Sequence, residues 1–413
     1  MYAGGPVEEF TDQARAWLES VAKHRSDPVA ASWGEGSDDV SVFHDLTEEQ
    51  ERLLLHEAMA WQREKFDAGY GAISWPEEYG GAGLPPEFEA AYRRVEEGFE
   101  VPPGHETFSV TVGLVAPTIR EFGTEEQRRE LIPRFLRTEQ LCCQLFSEPG
   151  AGSDLASLST RAERDGDTWV VRGQKVWSSG AQFSEWGELI ARTSTGDKHG
   201  GLTAFIVPMG LPGVTVRPIR QMSGGSSFNE VFLDEVRVPD RLRLGEVGQG
   251  WKVALTTLGF ERAGSGGGRS VGGSWDQLMA LARHLGRTDD PVVRQELARC
   301  YANERVRSFV RARVEHRADS GSAPGPEGSI GKLLWTRSLA EISRIAGELL
   351  GPRLTADSGE WGTWAWTAHV LGAPGYRIAG GSDEIQHNII AERVLGLPRD
   401  PRPVTAAPEE TDK

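Results

Sequence analysis

The sequence predicts an α+β multidomain protein: an N-terminal helical domain over 1–138, a middle antiparallel β-barrel or sandwich domain over 139–245, and a C-terminal helical bundle over 246–400. Three observations carry this. Apolar residues recur at spacings of three and four in both outer thirds. Between them, short β-rich runs follow one another with Gly, Pro and Asp at brief intervals. The length of 413 residues suits two or three domains, each with its own core.

Val7 to His24 sets Phe10, Ala14, Leu18 and Val21 on one face, and Leu46 to Phe66 forms a second amphipathic helix opened by Thr47. Pro28 to Val42 is a Ser/Gly-rich connector. Trp75-Pro76 with Gly80, Gly81 and Gly83 makes a compact turn before a helix starting near Pro85-Pro86. Glu96 and Glu97 read as a solvated helix face. Leu114–Phe122 and Glu125–Thr138 are a helix pair, with Thr124 and Gln127 spaced as a capping box.

Strands are expected at 141–146, 168–172, 175–177, 187–192, 202–207, 214–219 and 229–238, with a hairpin turn at Asp165-Gly166-Asp167. Helix resumes near Trp251. Six glycines between positions 264 and 273 then require either a break or close packing against something flat. Leu297–Arg317 and Ile330–Leu350 are helices separated by a linker-like 318–329. Trp361, Trp364 and Trp366 read as core or interface, and 401–413 is expected to be a disordered tail.

The net charge of −16 argues against nucleic acid, which needs a basic face. No apolar run approaches the roughly 18–20 residues that span a bilayer, so no membrane is expected. The N-terminus lacks the basic start and apolar core of a signal peptide. Three cysteines, Cys142, Cys143 and Cys300, make no disulfide framework. Together these features point to the cytoplasm. No metal ligand is expected.

The most informative stretch is QLFSEPGAGSDLASLSTRAERDGDTWVVRGQKVWSSGAQFSEWGELIART, 144–193. Gly150, Ala151 and Gly152 let the backbone turn tightly and approach a ligand, and exposed N–H groups beside Ser147 and Ser153 suit a carbonyl-rich ring or a phosphate. With WPEEYGGAGLPPEF, FNEVFLDEVRVPDRLRLGEVGQGW and IAGGSDEIQHNIIAERVLGLPR, it strongly resembles the acyl-CoA dehydrogenase family over residues 45–400.

The resemblance implies FAD as cofactor, an acyl-CoA as substrate and α,β-desaturation of the thioester, as in fatty acid metabolism. By position, Gln144, Phe146, Ser147 and Gly152 match the flavin-binding turn, Trp177 would stack on the ring, and Ser179 would hydrogen-bond its far side. Ser153 matches a position touching both flavin and acyl-CoA, Arg262 one touching CoA, and Ser382 and Glu384 positions near the flavin. Medium- and short-chain members carry their catalytic glutamate at the position of Gly380, which has no side chain. Long-chain and isovaleryl members carry it in a Leu-x-x-Glu-Arg string; here LGFER (258–262) puts Glu261 there. Glu261 is therefore the expected base, and the Gly380 N–H the expected donor to the thioester oxygen.

The family's Arg-x-x-Phe-Gly string, which holds the FAD pyrophosphate and adenosine from a neighbouring subunit, has no Phe-Gly counterpart in 282–299. Arg283, Arg287 and Arg294 are the candidate substitutes. The implied partners are an electron-transfer flavoprotein and either a second copy (homodimer or homotetramer) or a related subunit in a heterotetramer. Two other readings stay open: a flavin oxidase or monooxygenase on the same fold, and a non-catalytic subunit of a heteromeric dehydrogenase.

Overall fold

A computed structural model describes residues 6–25, 40–264, 273–319, 325–355 and 363–399. Most of the 28–42 connector, most of the glycine run, part of the 318–329 linker, Trp361, the Trp364 side chain and the tail lie outside the described residues.

Helix α1 (Val7–Val21) buries Phe10, Ala14 and Leu18. They pack with Trp61, Tyr92 and Phe99, contributed by α2 (Glu48–Asp67), α3 (Pro86–Glu96) and β2 (Phe99–Glu100), the short partner of β1 (Lys23–His24). Thr47 caps α2 through a capping box with Gln50, which satisfies N–H groups the helix start would otherwise leave open. Glu96 departs from the expected solvated face. It accepts from Trp61 Nε1 at 3.1 Å and pairs with Lys65 at 3.2 Å, while Glu97 is exposed.

The next helix starts earlier than its apolar pattern indicates. It opens as α4 (Glu106–Phe108), continues as a π-helical stretch over Ser109–Val115, and becomes α5 (Ala116–Phe122). Then α6 (Glu125–Leu136) begins on the Thr124–Gln127 capping box read from the sequence.

Eight strands form one sheet: β3 (Cys142–Leu145), β4 (Arg161–Asp165), β5 (Thr168–Lys175), β6 (Trp186–Arg192), β7 (Leu202–Pro208), β8 (Val214–Ile219), β9 (Phe228–Pro239) and β10 (Arg243–Leu244). The order is β10-β7-β6-β4-β5-β9-β8, with β3 parallel to β6 and most other pairs antiparallel. Thr168–Lys175 is continuous; its register to β9 shifts between Val171 and Gly173, where β9 carries the extra residue of a bulge. The expected strand through Trp177 is a loop instead. The ladder ends at Lys175, and Trp177 has φ +64, which a strand does not accommodate.

One sheet face, with Cys142, Phe146, Ile190 and Ala204, packs on Leu114, Val115, Val253 and Ala254 of the helices. The other encloses Leu145, Trp169, Val171, Phe205 and Val207.

Helices α7 (Gly250–Gly264), α8 (Trp275–His284), α9 (Pro291–Asp319), α10 (Gly328–Leu350), α11 (Thr363–Tyr376) and α12 (Asp383–Ile389) complete the chain. Trp366 is fully buried in their core, as read. All three cysteines are buried and free. No helix of the described residues is long and apolar enough to cross a membrane.

Candidate active site

Two loops of the sheet domain are tied together beneath an open face. The first, after β3, is closed by Glu148 and Ala151, which exchange backbone hydrogen bonds of 2.9 and 3.0 Å around Pro149-Gly150. A Cβ added at Gly150 or Gly152 would meet open space. The second loop follows β5, and its Val176 N–H donates to Ser147 O at 2.9 Å. Asn229 Nδ2 holds Ser178 O at 2.9 Å, and Gly180, at φ +64, lies so close to Thr107 Cγ2 that any side chain would collide with it.

Beneath both loops lies a group that motif reading passed over. Lys175, with no exposed surface, donates to Phe146 O (3.0 Å), Ile190 O (2.9 Å) and Glu148 Oε1 (2.9 Å). The other Glu148 oxygen accepts from Ser159 N (2.6 Å) and Ser159 Oγ (2.7 Å). Burial alone would push the Glu148 carboxyl up. The Lys175 charge and the hydrogen bonds from Thr160 and Ser159 outweigh it and hold the group at about 2. Burial in turn lowers Lys175 to about 8 against the pull of Glu148.

The sequence-derived flavin residues fall on and around these loops. Ser147 and Ser179 are partly accessible, Gly152 and Ser153 are exposed, and Phe146 is buried in the core with its backbone carbonyl on Lys175. Trp177 is 60 % exposed and edge-on to Phe228 at 6.0 Å. A large indole held out of the core in a left-handed backbone conformation, on a loop tied to the one that carries the open glycines, fits a flat heteroaromatic ring.

From Phe228 an aromatic path crosses to the C-terminal helices. Phe43 meets Phe228 at 5.3 Å and stacks on Tyr376 at 5.0 Å, and Trp335 meets Tyr376 at 4.6 Å. Beside this path Glu106 is exposed, its carboxyl raised by the protein packed around it, and burial raises the Tyr376 phenol with the Glu106 charge adding to the shift.

Four residues past Tyr376 the chain turns at Gly380 (φ +61) and Gly381 (φ +85). Lys332 Nζ donates to Ala379 O and Gly381 O, and Gln386 Nε2 donates to Gly380 O (3.1 Å) and Gly381 O (2.9 Å). A Cβ on Gly380 would sit 2.8 Å from Glu261 Oε1. The α7 carboxylate thus occupies the space that a side chain at 380 would take. Ser382 caps α12 by accepting from Ile385 N, and Glu384 is exposed on its first turn. The Arg262 side chain lies outside the described residues.

One helical turn before Glu261, Thr257 Oγ1 donates to Glu188 Oε1 at 2.7 Å. Glu188 is fully buried beside Gln144 on the parallel strand, and both Glu188 Oε2 and Gln144 Nε2 are buried without a protein partner. Desolvation raises Glu188 to about 8, Thr257 opposing. In the unfolded chain this carboxyl ionises near ~4.3, so between the two values the folded state binds the extra proton and stability falls as pH rises. Glu188→Gln is expected to flatten this loss. Relative to wild type it should gain roughly 2–3 kcal/mol between pH 5.5 and 7.5, at about 1.4 kcal/mol per pH unit. Melting curves at both pH values check it, and parallel loss in the two proteins would contradict it.

His44 Nε2 and His105 Nε2 both lie 3.1 Å from Glu51 Oε1, a grouping with the span of a metal site. The His105 Nδ1 accepts from Thr107 N at 3.2 Å, so its Nε2 carries the proton and donates to Glu51. The grouping is a charged hydrogen-bond network, with Glu51 held at about 2 against desolvation by the two imidazoles.

Helical ends around a mostly antiparallel sheet, with a carboxylate closing on a glycine turn, define a three-part α+β molecule. Models of the acyl-CoA dehydrogenase N-terminal, middle and C-terminal domains match residues 8–139, 143–236 and 248–395. The chain is 39 % identical to the acyl-CoA dehydrogenase IpdE1 of Mycobacterium tuberculosis, over 95 % of this chain and 98 % of that one. Among solved structures, the Tcur3481-Tcur3483 steroid ACAD is 27 % identical with a TM-score of 0.74, covering 97 % of this chain and 100 % of the other. The ChsE4-ChsE5 complex from M. tuberculosis is 27 % identical with a TM-score of 0.70, over 97 % and 100 %. The chain belongs to the acyl-CoA dehydrogenase family, whose members are oxidoreductases.

Proposed function

We propose that the protein is an FAD-dependent acyl-CoA dehydrogenase in which Glu261 removes the α-proton of an acyl-CoA thioester. The observation that carries this is the position of Glu261 Oε1, 2.8 Å from where a Cβ of residue 380 would lie. By the motif resemblance a glutamate would serve from one of these two positions, and here the two converge on one point. When bound, FAD supplies the electron sink for the β-hydride.

The chain's own groups do the rest. Ser147, Ser153, Ser179 and Trp177 would hold the ring, and Gln144 and Gly152 would border it. By position in the family motifs, Ser382 and Glu384 would lie near it and Arg262 would serve the CoA. The Gly380 N–H polarises the thioester carbonyl, which acidifies the α-carbon for Glu261.

An electron-transfer flavoprotein is the proposed electron acceptor. For the acyl group we propose a bulky, flat ring system. Supporting this are the 27 % likeness to a protein named as a steroid ACAD and the aromatic wall from Trp177 to Trp335. We also propose assembly with a related subunit. The named ChsE4-ChsE5 and Tcur3481-Tcur3483 pairs support it, as do the exposed Val292, Tyr301, Val306 and Phe309 along α9.

The test is anaerobic titration of the FAD-loaded protein with a panel of acyl-CoAs, from straight-chain to polycyclic. Bleaching of the flavin band by at least one member, with slow reoxidation in air, is the expected result. Rapid reoxidation with peroxide release would favour the oxidase, and a protein that takes up no FAD would favour the non-catalytic subunit.

A further inference from the structure

Resting on that reading, we propose that Lys332 is a positioning residue for both halves of the proton abstraction: it aims and polarises the Gly380 N–H, and its charge keeps Glu261 ionised.

Lys332 is 5 % exposed on α10, and burying an ammonium is costly unless its three donors find acceptors. Two of its acceptors are Ala379 O and Gly381 O, on either side of Gly380. The Ala379 carbonyl and the Gly380 N–H belong to the same peptide unit. In a planar trans peptide these two groups point in opposite directions. An ammonium on the carbonyl therefore turns the Gly380 N–H away from α10. It also withdraws electron density through the amide, which makes that N–H a stronger donor. Gln386 holds Gly380 O and Gly381 O, so the carbonyls of 379, 380 and 381 are all clamped by side chains.

The second role follows from distance. Lys332 Cε and Glu261 Oε1 lie 3.9 and 2.8 Å from the same point, the site of a Cβ on Gly380. The two groups thus flank one point and feel each other's charge, and an opposite charge nearby favours the ionised carboxylate, the form that can accept a proton. The groups facing Lys332 are Glu261 from α7 and Asp383 from α12. Asp383 is also engaged by Arg377 Nε at 2.7 Å and Thr336 Oγ1 at 2.9 Å, and the Lys332 charge acts on both carboxylates. Burial lowers the Lys332 ammonium, and Glu261 opposes that shift.

A 3-thia-acyl-CoA separates this role from turnover. Its α-proton can pass to Glu261, but sulfur at the β-position has no hydride to give, so the α-anion accumulates and shows as a long-wavelength charge-transfer band with the oxidised flavin. The band is titrated against pH in FAD-loaded wild type, Lys332→Met, Lys332→Gln and Lys332→Arg, using 3-thiabutanoyl- and 3-thiaoctanoyl-CoA. Both uncharged variants are expected to move the midpoint upward by about one pH unit or more, whereas Lys332→Arg stays near wild type. Lys332→Gln keeps a donor for the turn, so a fold-wide loss in the Met variant does not blur the result. Equal midpoints in all four proteins would overturn the inference. The parent reading fails differently, through a wild type that forms no band or a Glu261→Gln variant that still forms one.

Discussion

Glu261→Gln is expected to keep its flavin, with an unchanged visible spectrum, while bleaching by acyl-CoA slows roughly 10²–10⁴-fold, the usual worth of a positioned general base. Glutamine has the same shape and keeps an oxygen near the Gly380 turn, so binding survives; its amide has no lone pair basic enough to take a carbon-bound proton. Gly380 cannot substitute, because it has no side chain. The geometry adds a sharper arm. The Cβ of a residue at 380 would fall 2.8 Å from the present carboxylate oxygen, so Glu261→Gly combined with Gly380→Glu moves the base to the other side of the same point. Partial recovery is expected, limited by the φ of +61 that a non-glycine residue at 380 must adopt. Undiminished bleaching in Glu261→Gln would remove this carboxylate from the chemistry.

How much of this was legible beforehand depended on how local the signal was. The helix start at Thr47, the capping box at Thr124 and the short apolar runs of β6 and β7 are contained within a few residues, and the structure has a helix start, a capping box and two buried strands there. The exchange between Glu261 and Gly380 was legible only because two distant motifs were compared. Nothing in the string IGKLLW marks Lys332 as different from a solvated lysine, since its partners are backbone carbonyls of a turn far along the chain. Glu188 sits in ELIAR, where it reads as one polar residue in a strand. It is buried because α7 crosses that position of the sheet, and no local pattern encodes the crossing. The strand expected through Trp177 failed for a related reason: the loop is shaped by bonds to Ser147 and Asn229, which override the local preference of Val176 and Trp177 for extended backbone.

The same long-range logic makes Lys175 a sensitive stability position in the middle domain. Lys175→Met is expected to cost about 3–5 kcal/mol, the usual result of removing one partner from a buried ion pair. The loss exceeds the attraction itself, because Glu148 stays behind as an uncompensated anion, 6 % exposed, with only the Ser159 and Thr160 donors to hold it. Phe146 O and Ile190 O also lose their donor, so the loop bearing Ser147 loosens and FAD retention weakens with it. Adding Glu148→Gln removes the stranded charge and should restore much of the stability, a non-additivity that a double-mutant cycle reads directly. The pH dependence has a definite sign. In wild type, Glu148 at about 2 lies below its unfolded value, so its contribution is present above pH ~4.3 and disappears as pH falls toward 2. Without Lys175, burial favours the protonated carboxyl, and the deficit of the single variant should shrink between pH 7 and about 4.5. Chemical denaturation of the four proteins at both pH values decides the matter, and a deficit that does not change with pH would show that the lost backbone contacts, not the stranded charge, set the cost.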